Sequence, residues 1–331
     1  MPKLSLILPC YNVDKYLEKC LDSLINQTEK DIEILFVDQG STDNTLKFIK
    51  KYSAKDKRIR ILQISGQLSD PEARKTGLEN ASGKYIWFIN PDDYIEKDAC
   101  ETLYQEAENE KLEVLCFNAR NYISKDVYGK INNLDFIISI INWPVNEIIN
   151  VQKISAGLSD QIPMVSWIFI AEKSFLENKL NDKRYFEDSV LSLILFSQCT
   201  RFKAITYTAY HNVIKQDDIK NNVSKKDILS ELNNLLVIKD FIILNNLHKN
   251  HFVSRILNVR YKAFNKMIND YNRQNNDTYK FSDEQIKKLS EIKHKAKRNK
   301  IVFVIKNLMP LGIFKLVKFY KNREKIYLLR K

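Results

Sequence analysis

The sequence predicts an α/β protein: a mainly parallel sheet flanked by helices, followed by a helical C-terminal region. Three observations predict it. Over the first hundred residues, short apolar runs alternate with segments of helical periodicity, the pattern of parallel strands joined by crossover helices. The strand-like runs are continuously apolar rather than alternating, as expected where both sheet faces are covered. From Lys225 onward the periodicity is almost entirely helical.

The elements follow in order. Leu4–Pro9 reads as a buried strand, and Asp14–Asn26 as a helix through Leu17, Leu21, Leu24 and Ile25. Ile32–Val37 is the second strand. Asp43–Tyr52 is a helix with Asp43 as N-cap, since a short acidic side chain can accept from the first free backbone N–H groups. Arg58–Ile64 is the third strand, Pro71–Ala81 a helix closed by Gly83, and Lys84–Ile89 the fourth strand. The middle of the chain is mixed: Ala99–Glu110 helical, Glu113–Asn118 strand-like, Asp188–Ser197 helical. Ile228–Leu247, Phe252–Tyr271 and Asp283–Arg298 complete the helical region.

Composition narrows the class. The 331 residues suit one large domain with a smaller region, or two modest domains. Hydrophobic residues make up 44% and charged residues 28%, as in a folded chain. Five scattered cysteines without a C-x-x-C pair predict neither a zinc site nor a disulfide framework, and favour a reducing cytoplasm. The apolar run at the start is too short for a signal core. Lys280 to Lys331 holds sixteen basic and four acidic residues, a surplus of 12 that equals the net charge of the whole chain. The body is therefore neutral and the tail basic, which fits a nucleic-acid binder poorly. Within the tail, Ile301–Tyr320 is apolar but carries Lys306, Lys315 and Lys318, with Pro310 and Gly312 between them. That argues against a simple spanning helix. Two readings stand: an interfacial element on an anionic membrane, or a helical hairpin packed on the body with a solvated lysine face.

Ligands of parallel α/β sheets sit beyond the carboxyl ends of the strands. There the first strand delivers Pro9, Cys10, Tyr11, Asn12 and Asp14. The second delivers Asp38, Gln39, Gly40, Ser41, Thr42 and Asp43. The fourth delivers Asn90, Pro91, Asp92 and Asp93. Singly, each loop reads as a turn or a helix cap. Three acid-bearing loops on one edge suit a site where carboxylates accept from a base or ribose and hold a divalent cation.

These segments resemble the family 2 glycosyltransferases of GT-A (Rossmann-like) fold. The resemblance is carried by LSLILPCYNVDKYL over Leu4–Leu17, FVDQGSTDN over Phe36–Asn44, Ala73-Arg74 with Gly77-Leu78, and GKYIWFINPDDYI over Gly83–Ile95. A weaker match follows at Phe186-Glu187-Asp188, preceded by Trp167. It implies a glycosyltransferase domain over 1–222, with a nucleotide-binding half (1–97) and an acceptor half (98–222), and a helical region over 223–331. It implies transfer of a sugar from a nucleotide donor, UDP-linked, to the hydroxyl of a saccharide or lipid-linked saccharide, with inversion and with Mn2+ or Mg2+.

The roles it implies are specific. Pro9, Tyr11 and Asp14 line the nucleoside pocket and Asp38 binds the base. Arg74 lies near the diphosphate or the base. Asp92 binds the metal, with His211 as a candidate extra ligand, and Asp93 meets the donor sugar. Asp188 is the general base that deprotonates the acceptor. Two positions depart from the family pattern: Gln39 stands where a second Asp is usual, and Asn90 replaces the first Asp of D-x-D. Both still belong to the expected nucleotide-sugar contacts, but without charge. They leave open a non-catalytic relative acting as a binding or assembly protein. Trp167 is either a sugar-stacking or a core aromatic. The tail suggests a peripheral position at the inner face of the cell membrane.

Overall fold

The computed structural model describes residues 1–64, 66, 68–123, 137–138, 146–150, 165–215, 223–247, 250–275 and 279–282. The expected helix over 283–298 and the tail over 301–320 lie outside the described residues. Contacts divide the chain into two compact units, one of residues 1–154 with 161–220, the other of 155–160 with 221–331.

The first unit is built on one sheet. Its strands are β1 (Leu4–Cys10), β2 (Ile32–Asp38), β3 (Ile59–Gln63), β4 (Tyr85–Phe88), β5 (Tyr94–Ile95), β6 (Val114–Ile123), β7 (Ile137–Ile138), β8 (Phe169–Glu172) and β9 (Phe202–Ile214), in the order β3-β2-β1-β4-β8-β6-β9-β5, with β7 on β6. β1, β2, β3 and β4 pair in parallel, which is the α/β half that the apolar runs announced. The other half mixes directions: β8 is antiparallel to both β4 and β6, β9 is parallel to β6, and β5 is antiparallel to β9. The helices are α1 (Leu17–Ile25), α2 (Thr45–Ser53), α3 (Asp70–Asn80), α4 (Ala99–Asn109), α5 (Lys173–Lys179) and α6 (Asp188–Gln198). Short 3-10 turns cover Ser166–Ile168 and Lys183–Phe186.

β1 and β2 are buried along their whole length, as parallel strands covered on both faces are, and α3 packs against both of them. Two glycines let the layers close. A Cβ on Gly77 would fall 2.3 Å from Ile7 Cγ2, so α3 lies directly on β1. A Cβ on Gly83 would fall 2.6 Å from backbone atoms of Leu4 and Ser5. Gly83 therefore serves close backbone approach rather than the helix end assigned to it from sequence.

Glu33 anchors the same corner. Its Oε1 accepts from Ser5 Oγ (2.5 Å), Ser82 N (2.5 Å) and Gly83 N (3.1 Å), and its Oε2 takes Arg60 (2.7 Å). Burial alone would raise this carboxyl's pKa, but the Ser5, Ser82 and Arg60 bonds outweigh it and hold the pKa below the ordinary value.

The second unit contains α7 (Lys225–Leu244) and α8 (His251–Asn275). Ser224 and Asp227 form a capping box at the start of α7. Ile228, Leu232, Leu235, Phe264, Ile268, Tyr271 and Tyr279 share one core. Among the described residues, no helix is long and apolar enough to cross a membrane.

Candidate functional site

The register fixes where the strand-end loops emerge. Cys10 lies opposite Asp38, and Ile7 opposite Phe88, so the chain leaves β1, β2 and β4 at one edge of the sheet. The first two loops are stitched together by Asn12, whose positive φ of 52° is tolerated by an Asn side chain. Its Oδ1 accepts from Thr42 N (2.8 Å) and Asp43 N (3.4 Å), and its backbone N–H donates to Ser41 Oγ (3.2 Å). Asp14 Oδ2 accepts from the Asn44 backbone and amide (3.3 Å each), while Asp14 N donates to Asp43 Oδ2 (3.1 Å). Asn44, not Asp43, is the N-cap of α2; Asp43, one residue further out, accepts from Thr45 N at the first helical position (2.9 Å). Burial would raise the Asp43 pKa; the bonds from Thr45 and Asp14 lower it overall.

Pro9 is buried at the end of β1, and Tyr11 is 40% exposed beside it. Asp38 is 3% exposed, with Oδ1 accepting from Ser41 N at 3.2 Å. Gly40 takes φ 82°, the left-handed turn that frees that N–H to face back. Gln39 is equally buried and donates from Nε2 to Asp70 Oδ1 at the head of α3 (3.0 Å).

The third loop turns inward. Asp93 is 2% exposed; Oδ2 accepts from Tyr210 Oη (2.6 Å) and Asn90 Nδ2 (3.0 Å), and Oδ1 from Val213 N (2.7 Å). A donor-sugar contact was expected of Asp93. Instead its carboxylate ties the loop to β9. Asp92 pairs with Lys215, a residue the sequence reading did not single out, and the Lys215 ammonium lies 5.0 Å above the Tyr16 ring.

His211 was a candidate ligand beside Asp92. Its Nε2 meets Glu96 Oε1 at 2.7 Å, and its ring stacks on Tyr94 with centroids 4.5 Å apart. The reason is strand alternation: Tyr210 and His211 are neighbours on β9 and point to opposite sheet faces, and Tyr210 takes the side of the Asn90–Asp93 loop. Burial lowers the His211 pKa more than Glu96 raises it. Trp167 is core: it is 5% exposed, stacks on Tyr210 with centroids 4.6 Å apart, and its carbonyl accepts from Trp87 Nε1 (2.9 Å).

Asp188 begins α6, where the helix dipole favours an anion. Its Oδ1 forms an ion pair with Arg74 Nη1 (3.0 Å) and accepts from Ser166 N (3.3 Å). Arg74, expected near the donor, also donates to the Phe186 carbonyl (2.9 Å). Two turns of chain far apart in sequence therefore meet.

Among the described residues, no group of three or more His, Cys, Asp or Glu side chains is arranged to hold a metal. Asp92 offers one partly exposed carboxylate. A hard divalent cation needs only one or two protein carboxylates when a diphosphate and waters complete its shell, so this donor set fits Mg2+ or Mn2+ bound together with a nucleotide.

The family model described as "Glycosyl transferase family 2" matches residues 5–170. Among curated relatives, the glycosyltransferase GlyG of Streptococcus pneumoniae is 30% identical over 56% of this chain and 62% of its own length. The match spans 15% of the length of the glycosyltransferase GlyA from the same organism, at 50% identity over 31% of this chain. The shared stretch is thus less than two thirds of either relative. A Campylobacter jejuni protein, "GalNAc(5)-diNAcBac-PP-undecaprenol beta-1,3-glucosyltransferase", is 28% identical over 68% of this chain and 69% of its own length. Among solved structures, Staphylococcus aureus TarS 1-349 in complex with UDP-GlcNAc superposes with a TM-score of 0.62 at 20% identity, covering 88% of this chain and 80% of that one. The mannosyltransferase PcManGT of Pyrobaculum calidifontis, in complex with GDP-Man and Mn2+, gives a TM-score of 0.51 at 13% identity, covering 93% and 85%.

Proposed function

The chain belongs to glycosyl transferase family 2, and we propose that it transfers a sugar, with inversion, from a UDP-linked donor to the hydroxyl of a saccharide or lipid-linked saccharide. The observation that carries this reading is the convergence of the β1, β2 and β4 loops at one sheet edge, with Asp38 and Asp92 on two of them. The UDP-GlcNAc complex of TarS supports the donor class. The name of the Campylobacter enzyme supports a lipid-linked acceptor.

In this reading Pro9, Tyr11 and Asp14 bound the nucleoside pocket and Asp38 accepts from the base. Asp92, now paired with Lys215, would hold a divalent cation; the Mn2+ in PcManGT supports that cofactor class. When bound, such a cation neutralises charge that develops on the departing diphosphate. Asp188 takes the proton of the acceptor hydroxyl as its oxygen forms the new bond to the anomeric carbon, and the nucleoside diphosphate leaves from the opposite face. A positioned base of this kind contributes about 10²–10⁴-fold.

The reading of a non-catalytic relative rested on Gln39 and Asn90. Each amide has a local partner that needs a donor, Asp70 and Asp93 respectively, so neither departure requires a lost site.

A thermal-shift panel of UDP-GlcNAc, UDP-glucose, GDP-mannose and the free diphosphates, with and without Mn2+, tests the proposal. A ligand at 100 times its Kd adds about 2.7 kcal/mol. A metal-dependent shift with a UDP-sugar is expected. No shift with any nucleotide overturns the proposal in favour of a binding or assembly protein.

A further inference from the structure

We propose that Arg74 is a positioning residue for Asp188 and not a ligand of the donor diphosphate. This inference rests on the reading of Asp188 as the general base.

Arg74 lies in the middle of α3 and is 6% exposed. A buried guanidinium is tolerated only where its charge is paired and its N–H groups are bonded. The partners are the Phe186 carbonyl and Asp188 Oδ1, both reached by Nη1. The two acceptors flank the turn into α6, so one planar group fixes both the backbone entering the helix and the carboxylate at its head. Ser166 N adds a second restraint on the same carboxylate oxygen.

Exposure divides the pair. The Arg74 side chain is 8% exposed and that of Asp188 is 32% exposed. The anchor is thus inside and the anchored carboxylate opens to solvent. Oδ1 carries the ion pair to Arg74 and the bond from Ser166, while Oδ2 makes no hydrogen bond among the described residues, which leaves one oxygen for a proton in transfer. Every residue from Ser189 to Ser197 is buried, so α6 itself gives the carboxylate a rigid base. A second pair runs in parallel: Glu72 of α3 binds Lys183 at 2.7 Å, and that bond, with those from Ser69, brings the Glu72 pKa down to about 2.

Charge argues the same way. A guanidinium already paired with a carboxylate presents a net charge near zero and has little to offer a diphosphate. A lysine could supply charge at this place, but not a planar head that holds the Phe186 carbonyl and the Asp188 carboxylate in one fixed orientation.

The test uses the full chain, UDP with Mn2+ as binding probe, and the UDP-sugar selected by the thermal-shift panel as substrate. R74Q, R74K, D188N and the double variant R74Q/D188N are compared. We expect the UDP-induced shift and the donor KM to stay within about threefold of the parent in every variant. We expect kcat to fall about 10²-fold in R74Q, the scale of a misplaced catalytic group, with partial recovery in R74K. In the D188N background the Arg74 change should have no further effect on kcat, because Arg74 acts only through that carboxylate. A tenfold loss of UDP affinity in R74K or R74Q with kcat retained overturns the inference and makes Arg74 a diphosphate ligand. An additive loss in the double variant overturns it as well. D188N with unchanged turnover instead removes the general-base reading itself. R74K keeps the charge and most of the volume, so it serves if R74Q does not fold.

Discussion

At the scale of single residues, Asn90 and Gln39 show why an amide can be the better choice in an acid-rich site. Asn90 Nδ2 donates to the buried Asp93 carboxylate at 3.0 Å. An Asp there would set two carboxylates together without a donor between them. Asn90→Asp should therefore cost about 1.5–3 kcal/mol at neutral pH, the range for a hydrogen bond to a charged group, read as a lower denaturation midpoint. An unchanged midpoint would remove this account of the departure from D-x-D. His211 gives a pH-dependent test. Burial depresses its folded pKa despite Glu96. As pH falls, the unfolded chain then takes up the proton first, near a pKa of about 6.5. Stability contributed by the neutral ring is full above that pH and declines from it down through the folded pKa. His211→Asn should flatten the stability profile below about pH 6.5, whatever its effect on the midpoint at neutral pH. A profile of the same slope would show that the ring is not the group titrating.

Among the elements, legibility followed burial and sequence distance. β1, β2 and β4 were readable because parallel strands covered on both faces are continuous apolar runs. β9 was not: FKAITYTAYHNVI mixes Thr, Tyr and His into a strand that runs from β6 past the Asn90–Asp93 loop to β5. Without it, the partners of Asp93, Asp92 and His211 could not be assigned, and His211 looked like a companion of Asp92. The Arg74–Asp188 pair joins α3 to α6 across more than a hundred residues, a separation over which no periodicity carries information. Gly83 was seen but misassigned, because a glycine after a helix usually caps it. Its actual constraint is the backbone of Leu4 and Ser5, 2.6 Å from where a Cβ would stand. Gly83→Ala must push β4 away from β1 and should cost about 1–3 kcal/mol, as overpacking does. Gly77→Ala meets the Ile7 side chain instead and belongs to the same test. Thermal denaturation of both variants checks it, and a midpoint within a degree of the parent for Gly83→Ala would refute the close approach.

For the whole molecule, the decisive asymmetry is charge. Residues 1–279 are neutral in sum, and 280–331 carry the entire surplus of 12. A lysine or arginine close to an anionic bilayer contributes about 1 kcal/mol, and the attraction extends over a Debye length of about 10 Å at 0.1 M salt. A tail with sixteen such residues would thus hold the chain at a membrane without a spanning helix, where a lipid-linked acceptor would be found. The competing arrangement, a hairpin packed on the body, leaves the same lysines in water and predicts no preference between lipids. Flotation with vesicles separates the two. Under the membrane reading the full chain associates with vesicles containing phosphatidylserine at about 0.1 M salt, is released at about 1 M where the Debye length shrinks to about 3 Å, and ignores pure phosphatidylcholine. A chain ending at residue 279 should lose the association while keeping its nucleotide-dependent thermal shift. If the full chain also ignores anionic vesicles, the basic residues serve a solvated face, and the acceptor must reach the site without help from the tail.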